Sequence, residues 1–176
     1  GSGVFAAASV SLEVRACRFQ SNYYSSGNSD GSGLFLAGPN TLVLNDTLFA
    51  ANTASSSAGA AYFGEGTDAA MTDVRFESNS AASMGGALRV VGGTSTRVFL
   101  HRVSFRSNYA LTAAGIYFQG GTNAGSITLR SYEFLFSSSS SFTNRDVYTT
   151  GSRAMIFESD CPAGTFTAGA GLLGCN

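Results

Sequence analysis

Two aspartates, Asp46 and Asp73, with the neighbours His101 and Arg102, are the residues of this chain whose types and spacing could do chemistry. Asp46, Asp73 and Arg102 follow one another at intervals of 27 and 29 residues, and His101 is the only histidine. A repeating fold would bring the two carboxylates to about 5 Å of each other, and such a pair can titrate with separated pKa values. That separation is what general acid and base work on a glycosidic bond requires. The same residues also have a plainer reading, as an exposed column in which Asp73 and Arg102 compensate each other for about 0.2 to 1 kcal/mol. The plainer reading is preferred, because a catalytic site wants a cleft and a metal site wants several convergent donors, and a tight bend supplies neither. No metal and no cofactor is expected.

The elements that must position this column are set by a repeat. Phe19, Phe49, Phe76, Phe105 and Phe134 are spaced by 30, 27, 29 and 29 residues, which is a period. Three residues after the first four stand Asn22, Asn52, Asn79 and Asn108, with Ser137 in the fifth place. Glycines at Gly3, Gly33, Gly59, Gly86 and Gly115 each precede an apolar run. Upstream of the phenylalanines, Leu12, Leu42, Ala69, Val98 and Ile127, then Val14, Leu44, Met71, Leu100 and Leu129, alternate as the inward face of a strand. Two places before each phenylalanine stand Cys17, Thr47, Val74, Val103 and Tyr132. The step of three between the last two sets breaks the alternation and predicts a bend, so each repeat carries one strand before the bend, one ending at Phe and one after Gly. Three short strands in 27 to 30 residues without helical periodicity predict an all-β chain, a parallel β-helix of about five coils over residues 1–157.

Stacked coils place equivalent residues above one another at ~4.8 Å. The phenylalanines are then a core stack, the asparagines a turn ladder that tolerates left-handed backbone, and the glycines either a positive-φ turn or a close backbone approach. Arg89 is expected to point outward, although apolar residues on both sides of it leave open a bulge or a strand covered on both faces. Glu77 and Arg106 are expected to pair on adjacent coils.

A net charge of −1 with 12% charged residues leaves no basic field for phosphates, which excludes nucleic acid as an expected partner. No apolar run reaches the ~18 residues of a membrane span, and residues 1–10 lack the charged start of a signal peptide. Cys17 is expected inside the repeat as a small buried hydrophobe, while Cys161 and Cys175 bracket a Gly-rich tail without strand periodicity and could pair. Asn45-Asp46-Thr47 is the one N-glycosylation sequon, expected to face solvent at the bend, and the serine run 137–141 reads as a loop leaving the stack.

The segments "FQSNYYSSGNSDGSGLFL", "FAANTASSSAGAAYF", "FESNSAASMGGALRV" and "FRSNYALTAAGIYF" resemble the repeats of the polymorphic outer-membrane protein family, marked by Phe-x-x-Asn and Gly-Gly-Ala/Ile. That family resembles the pectin-lyase-like β-helices, which implies a right-handed coil. The tail, "DCPAGTFTAGAGLLGCN", is similar to the opening of small cysteine-rich extracellular modules, which implies that residues 158–176 begin a module stabilised by a Cys161–Cys175 disulfide; two unpaired thiols are the alternative.

The resemblance implies a non-catalytic extracellular or cell-surface glycoprotein segment that is structural or adhesive, in a filament or surface appendage. Its partners would be other copies or neighbouring domains, with glycans or cell-surface components. Gly3 starts in mid-coil, so the ends are expected to be covered by end-to-end stacking or by neighbouring domains of a longer chain. The competing readings are a polysaccharide lyase, hydrolase or epimerase acting through Asp46 and Asp73, and a carbohydrate-binding platform at Tyr23, Tyr24 and Tyr109.

Overall fold

The computed structural model describes residues 3–7, 9–25 and 30–120, together with strands 126–130, 135–137, 140–143, 147–150, 155–157, 166–169 and 172–175. Within them the chain is an all-β parallel solenoid with no helix, and four turns fall in the stretch up to residue 120. Each turn contributes one strand to each of four parallel sheets. The first sheet is built from Val4–Ala6, Leu34–Leu36, Ala61–Phe63, Leu88–Val91 and Ile116–Gln119, continued by Val147–Thr150. The second holds the five-residue strands Ser11–Arg15, Thr41–Asn45, Asp68–Thr72, Arg97–His101 and Ser126–Arg130, then Met155–Phe157. The third stacks Arg18–Gln20, Leu48–Ala50, Arg75–Glu77, Ser104–Arg106 and Leu135–Ser137; the fourth stacks Tyr23–Tyr24, Thr53–Ala54, Ser80–Ala81, Tyr109–Thr112 and Ser140–Thr143.

The fourth sheet is one strand per turn more than the repeat pattern predicted. Its strands are mostly two residues long, and a single inward alanine (Ala54, Ala81 or Ala110) is too short a signal for an alternation to show. In the other sheets alternation sorts the faces. Leu42, Leu44, Ala69, Met71, Val98 and Leu100 fill the interior from the second sheet, and Phe49, Phe76 and Phe105 from the third. Phe19, Phe49, Phe76 and Phe105 stack with centroids 4.7, 5.0 and 5.0 Å apart, a spacing the strand repeat imposes on the rings. In the fifth turn the backbone partner of Phe105 is Phe136, and Ser137 lies opposite Arg106. Ser137 therefore does not take the asparagine position, and Phe134 lies outside the described residues. Because residues 134 and 136 share a strand parity, alternation alone could not choose between them.

Three corners per turn hold a residue in the left-handed region. They are Ala16, Asp46, Asp73 and Arg102 before the third sheet, Ser21, Ala51, Ser78 and Ser107 after it, and Gly31, Ala58, Gly85 and Ala113 before the first, with φ between 46° and 65°. The first set is the predicted bend. The second places the left-handed residue one before each asparagine, so the asparagine side chain is free to point inward. Inter-turn bonding continues around the corners, since Asp46 N donates to Thr72 O and Asp73 N to His101 O, each at 3.1 Å.

The asparagines form an internal chain of amides. Nδ2 of Asn22, Asn52 and Asn79 donates to Oδ1 of Asn52, Asn79 and Asn108 at 2.8, 2.9 and 3.0 Å. The same oxygens accept the backbone N–H groups of Asn22, Asn52 and Asn79. The second amide hydrogen of Asn52, Asn79 and Asn108 goes back to the carbonyls of Phe19, Phe49 and Phe76. A second interior polar column, Asn40, Thr67 and Thr96, precedes the five-residue strands; its members are buried and bond to loop backbone groups. Nothing in the apolar periodicity announced it.

Of the two roles open to the glycines, close approach is the one found. A Cβ on Gly86 would lie 2.5 Å from the carbonyl oxygens of Ala114 and Tyr109, and one on Gly59 would run into those of Gly86 and Ser80. The glycines also do not share one column. Leu34 pairs with Ala61 and Leu88 with Ile116, so Gly33 and Gly115 stand level with Ala60 and Ala87.

The first sheet runs in register without a bulge, with Phe5, Phe35, Tyr62, Arg89, Tyr117 and Tyr148 in one outward column. Phe5, Phe35 and Tyr62 stack on one another at 5.2 and 4.7 Å, which explains why the strand is apolar on both faces. Cys17 occupies the inward column of Thr47, Val74 and Val103, yet in the first described turn it is exposed rather than buried, and its thiol donates to Arg15 O. In the tail, Phe166–Gly169 and Leu172–Cys175 pair antiparallel with Phe166 opposite Cys175, where no strand was expected. Cys161 lies outside the described residues.

Candidate functional site

The corner before the third sheet brings Asp46, Asp73 and Arg102 into one column, with His101 ending the adjacent strand. Left-handed backbone turns these side chains out of the solenoid, and short polar residues such as Asp tolerate it. Arg102 grips Asp73 with two parallel bonds, Nε to Oδ1 and Nη2 to Oδ2, both 2.6 Å, and its Nη1 lies 2.6 Å from His101 Nε2. The side chains of Arg102 and Asp73 are 45% and 48% exposed. The Arg102 hydrogen bonds, aided by its charge, hold the Asp73 carboxyl below its ordinary range. A general acid must keep its proton near neutrality, so this shift runs the wrong way for that role.

Asp46, Asp73 and Arg102 are all exposed at this corner. A shallow groove of about 310 Å3 opens elsewhere, at the corner between the first and second sheets, and is lined by Val10, Pro39, Asn40, Gly66 and Asp68 among others. Among the described residues no three His, Cys, Asp or Glu side chains are grouped to hold a metal ion. No helix there is long and apolar enough to cross a membrane.

The sequon divides between two environments. Asn45 is half-buried on the outer face of its strand, but Thr47 is 1% exposed and its hydroxyl donates inward to Asn45 O at 2.9 Å. Only part of the sequon therefore faces solvent as expected. The tyrosine platform is not assembled, because Tyr23 and Tyr109 are separated in their column by Thr53 and Ser80. Glu77 and Arg106 sit side by side in register, and among the described residues no ion pair joins them.

One constellation escaped the sequence reading. Arg89 leaves the first sheet, passes 5.5 Å from the Tyr62 ring centroid, and donates from Nη1 to Asp30 Oδ2 at 2.8 Å and from Nη2 to Gln119 Oε1 at 2.7 Å. Asp30 Oδ1 accepts the Ser57 N–H at 3.0 Å. The Asp30 and Arg89 side chains are each 15% exposed. Burial raises the Asp30 carboxyl above its ordinary range even though Arg89 pulls it back, and burial likewise raises the Tyr62 hydroxyl. Asp30 is thus the acid pushed in the direction a proton donor needs, but both its oxygens are already engaged. The signal that could have found it is the connection from Asn22 to Gly33, 11 residues against 7 in the next three turns, which carries an acid where those three carry none.

No protein-family description, curated protein or solved structure matches this chain.

Proposed function

We propose that the chain is a non-catalytic structural or adhesive segment of an extracellular or cell-surface glycoprotein, built into a filament or surface appendage. The observation that carries this reading is the bidentate grip of Arg102 on Asp73, which commits the best-placed carboxylate to tying two turns together on an open corner. A surface acid held ionised in this way supports an axial brace better than a proton shuttle. The repeats' likeness to polymorphic outer-membrane proteins points the same way, and with it come a right-handed coil, a tail closed by Cys161–Cys175 and partners that are copies or neighbouring domains. An N-glycan at Asn45 would have to be added before the turn closes, since Thr47 is then inside.

Light scattering and electron microscopy of the full-length secreted protein test the reading. Oligomers or filaments are expected, and a monodisperse monomer would count against it. Uronide-cleavage and reducing-sugar assays provide the opposing arm: turnover that disappears in Asp46→Asn or Asp73→Asn would replace this proposal with a polysaccharide-active enzyme.

A further inference from the structure

In a solenoid each turn touches only the turns directly before and after it, so turns can open one at a time from an end. Arg89 departs from that rule. Backbone partners in the first sheet, Val4, Leu34, Ala61, Leu88, Ile116 and Val147, are 30, 27, 27, 28 and 31 residues apart. Arg89 and Asp30 are 59 apart, two turns rather than one. Asp30 sits in the connection between the first and second turns, where a β-bridge to Ser57 and the Ser57 N–H bond anchor it. Arg89 belongs to the fourth turn, crosses the Tyr62 ring of the third to reach Asp30, and holds Gln119 of the fifth with its other nitrogen.

We propose that Asp30, Arg89 and Gln119 form an axial clasp that couples the opening of non-adjacent turns, so that the second to fifth turns unfold as one unit instead of fraying in sequence. The residues around the clasp fit this role. The guanidinium lies across an aromatic face that keeps it extended along the axis, and low exposure shields the pair from the screening that weakens surface ion pairs. The contrast is with Asp73 and Arg102, which link only adjacent turns and leave sequential opening possible.

Native-state hydrogen exchange of the whole chain across a denaturant series tests the clasp. In the unaltered protein, amides of Thr41–Asn45 and of Arg97–His101 should exchange through one shared opening with the same denaturant dependence. In Asp30→Asn, which still accepts the Ser57 N–H, Thr41–Asn45 should exchange roughly tenfold faster or more while Arg97–His101 stays within about twofold. Asp73→Asn, as control, should not separate the two strands. If Asp30→Asn does not fold, Arg89→Lys is read by the same criterion, because it keeps the charge and gives up the fork that reaches Asp30 and Gln119 together. Equal acceleration of both strands, no change in either, or separate openings already in the unaltered protein would overturn the proposal.

Discussion

The two arginine–aspartate pairs found among the described residues of this solenoid invert the usual link between good geometry and importance. Arg102 and Asp73 make two parallel bonds at 2.6 Å, while Arg89 and Asp30 share one at 2.8 Å. The first pair is nearly half exposed, the second 15% exposed. In water the loss of a partner is quickly made good by solvent, so the better-formed pair is worth little; at the less exposed pair a lost partner leaves a poorly solvated charge behind. The carboxyls register the difference, with Asp73 lowered by its arginine and Asp30 raised by burial despite its arginine. Burial, more than bond length, ranks the polar contacts here.

That ranking extends to the neutral interior and is sharpest there. Asn79 is fully buried, and replacing it with alanine would leave the N–H and amide of Asn52 without the oxygen they share and would take from the Phe49 carbonyl the donor that Asn79 supplies. Asn79→Ala is expected to destabilise the protein by about 4 kcal/mol in urea unfolding, several orphaned groups at ~1 to 3 kcal/mol each acting together. Arg89→Ala should come next, at about 2 kcal/mol, below the ~3 to 5 kcal/mol of a fully buried pair because some solvent reaches it. A loss for Arg89→Ala no larger than that for Arg102→Ala would break the ranking.

Acid titration separates the pairs by sign. Between the ordinary carboxylate value of 3.8 and the raised folded value, folded Asp30 binds more protons than unfolded Asp30, so its contribution makes stability fall as pH rises through that window. Asp73 has the opposite sign. Its stabilising contribution is present above 3.8 and is lost as pH falls toward the lowered folded value. Asp30→Asn is therefore expected to flatten the stability–pH curve just above 3.8, and Asp73→Asn just below it. Arg89→Ala should hurt less at acid pH, where Asp30 takes up a proton and no longer needs a cation. A curve unchanged by Asp30→Asn in its window would show that the carboxyl is not shifted by burial.

How far the sequence revealed all this follows from what each feature repeats. Phenylalanine and asparagine columns recur because each turn solves the same packing problem, and the inward strand positions repeat with period two. Registers slipped where two solutions share a parity, as with Phe134 and Phe136, or where a Gly-Ala pair lets either residue stand at the narrow point, as with Gly59-Ala60 and Gly86-Ala87. Cys17 holds an inward column position without being buried, because a column position fixes the direction of a side chain and not what covers it. The lengthened connection marks Asp30, but the repeat does not reveal its partner Arg89, for a deeper reason. The pair occurs once, and its partners lie in a lengthened connection and a strand 59 residues away, so no period could bring them together.

The smallest effect is expected at the exposed corner, where two terms of similar size oppose each other. Arg102 holds φ 51°, a conformation that costs a bulky side chain roughly 1 kcal/mol or more and costs glycine almost nothing. The ion pair it forms with Asp73 returns only about 0.2 to 1 kcal/mol on a surface this open. Arg102→Gly should therefore leave stability within about 0.5 kcal/mol of the unaltered protein, or raise it, once backbone relief is set against the lost pair and against glycine's greater freedom when unfolded. Arg102→Ala keeps the strained backbone and loses the pair, so it should fall below Arg102→Gly, and the gap between the two variants should persist in high salt while the ion-pair contribution disappears. Arg102→Gly losing as much as Arg89→Ala would mean that exposure does not discount this pair, and the contrast between the two sites would collapse.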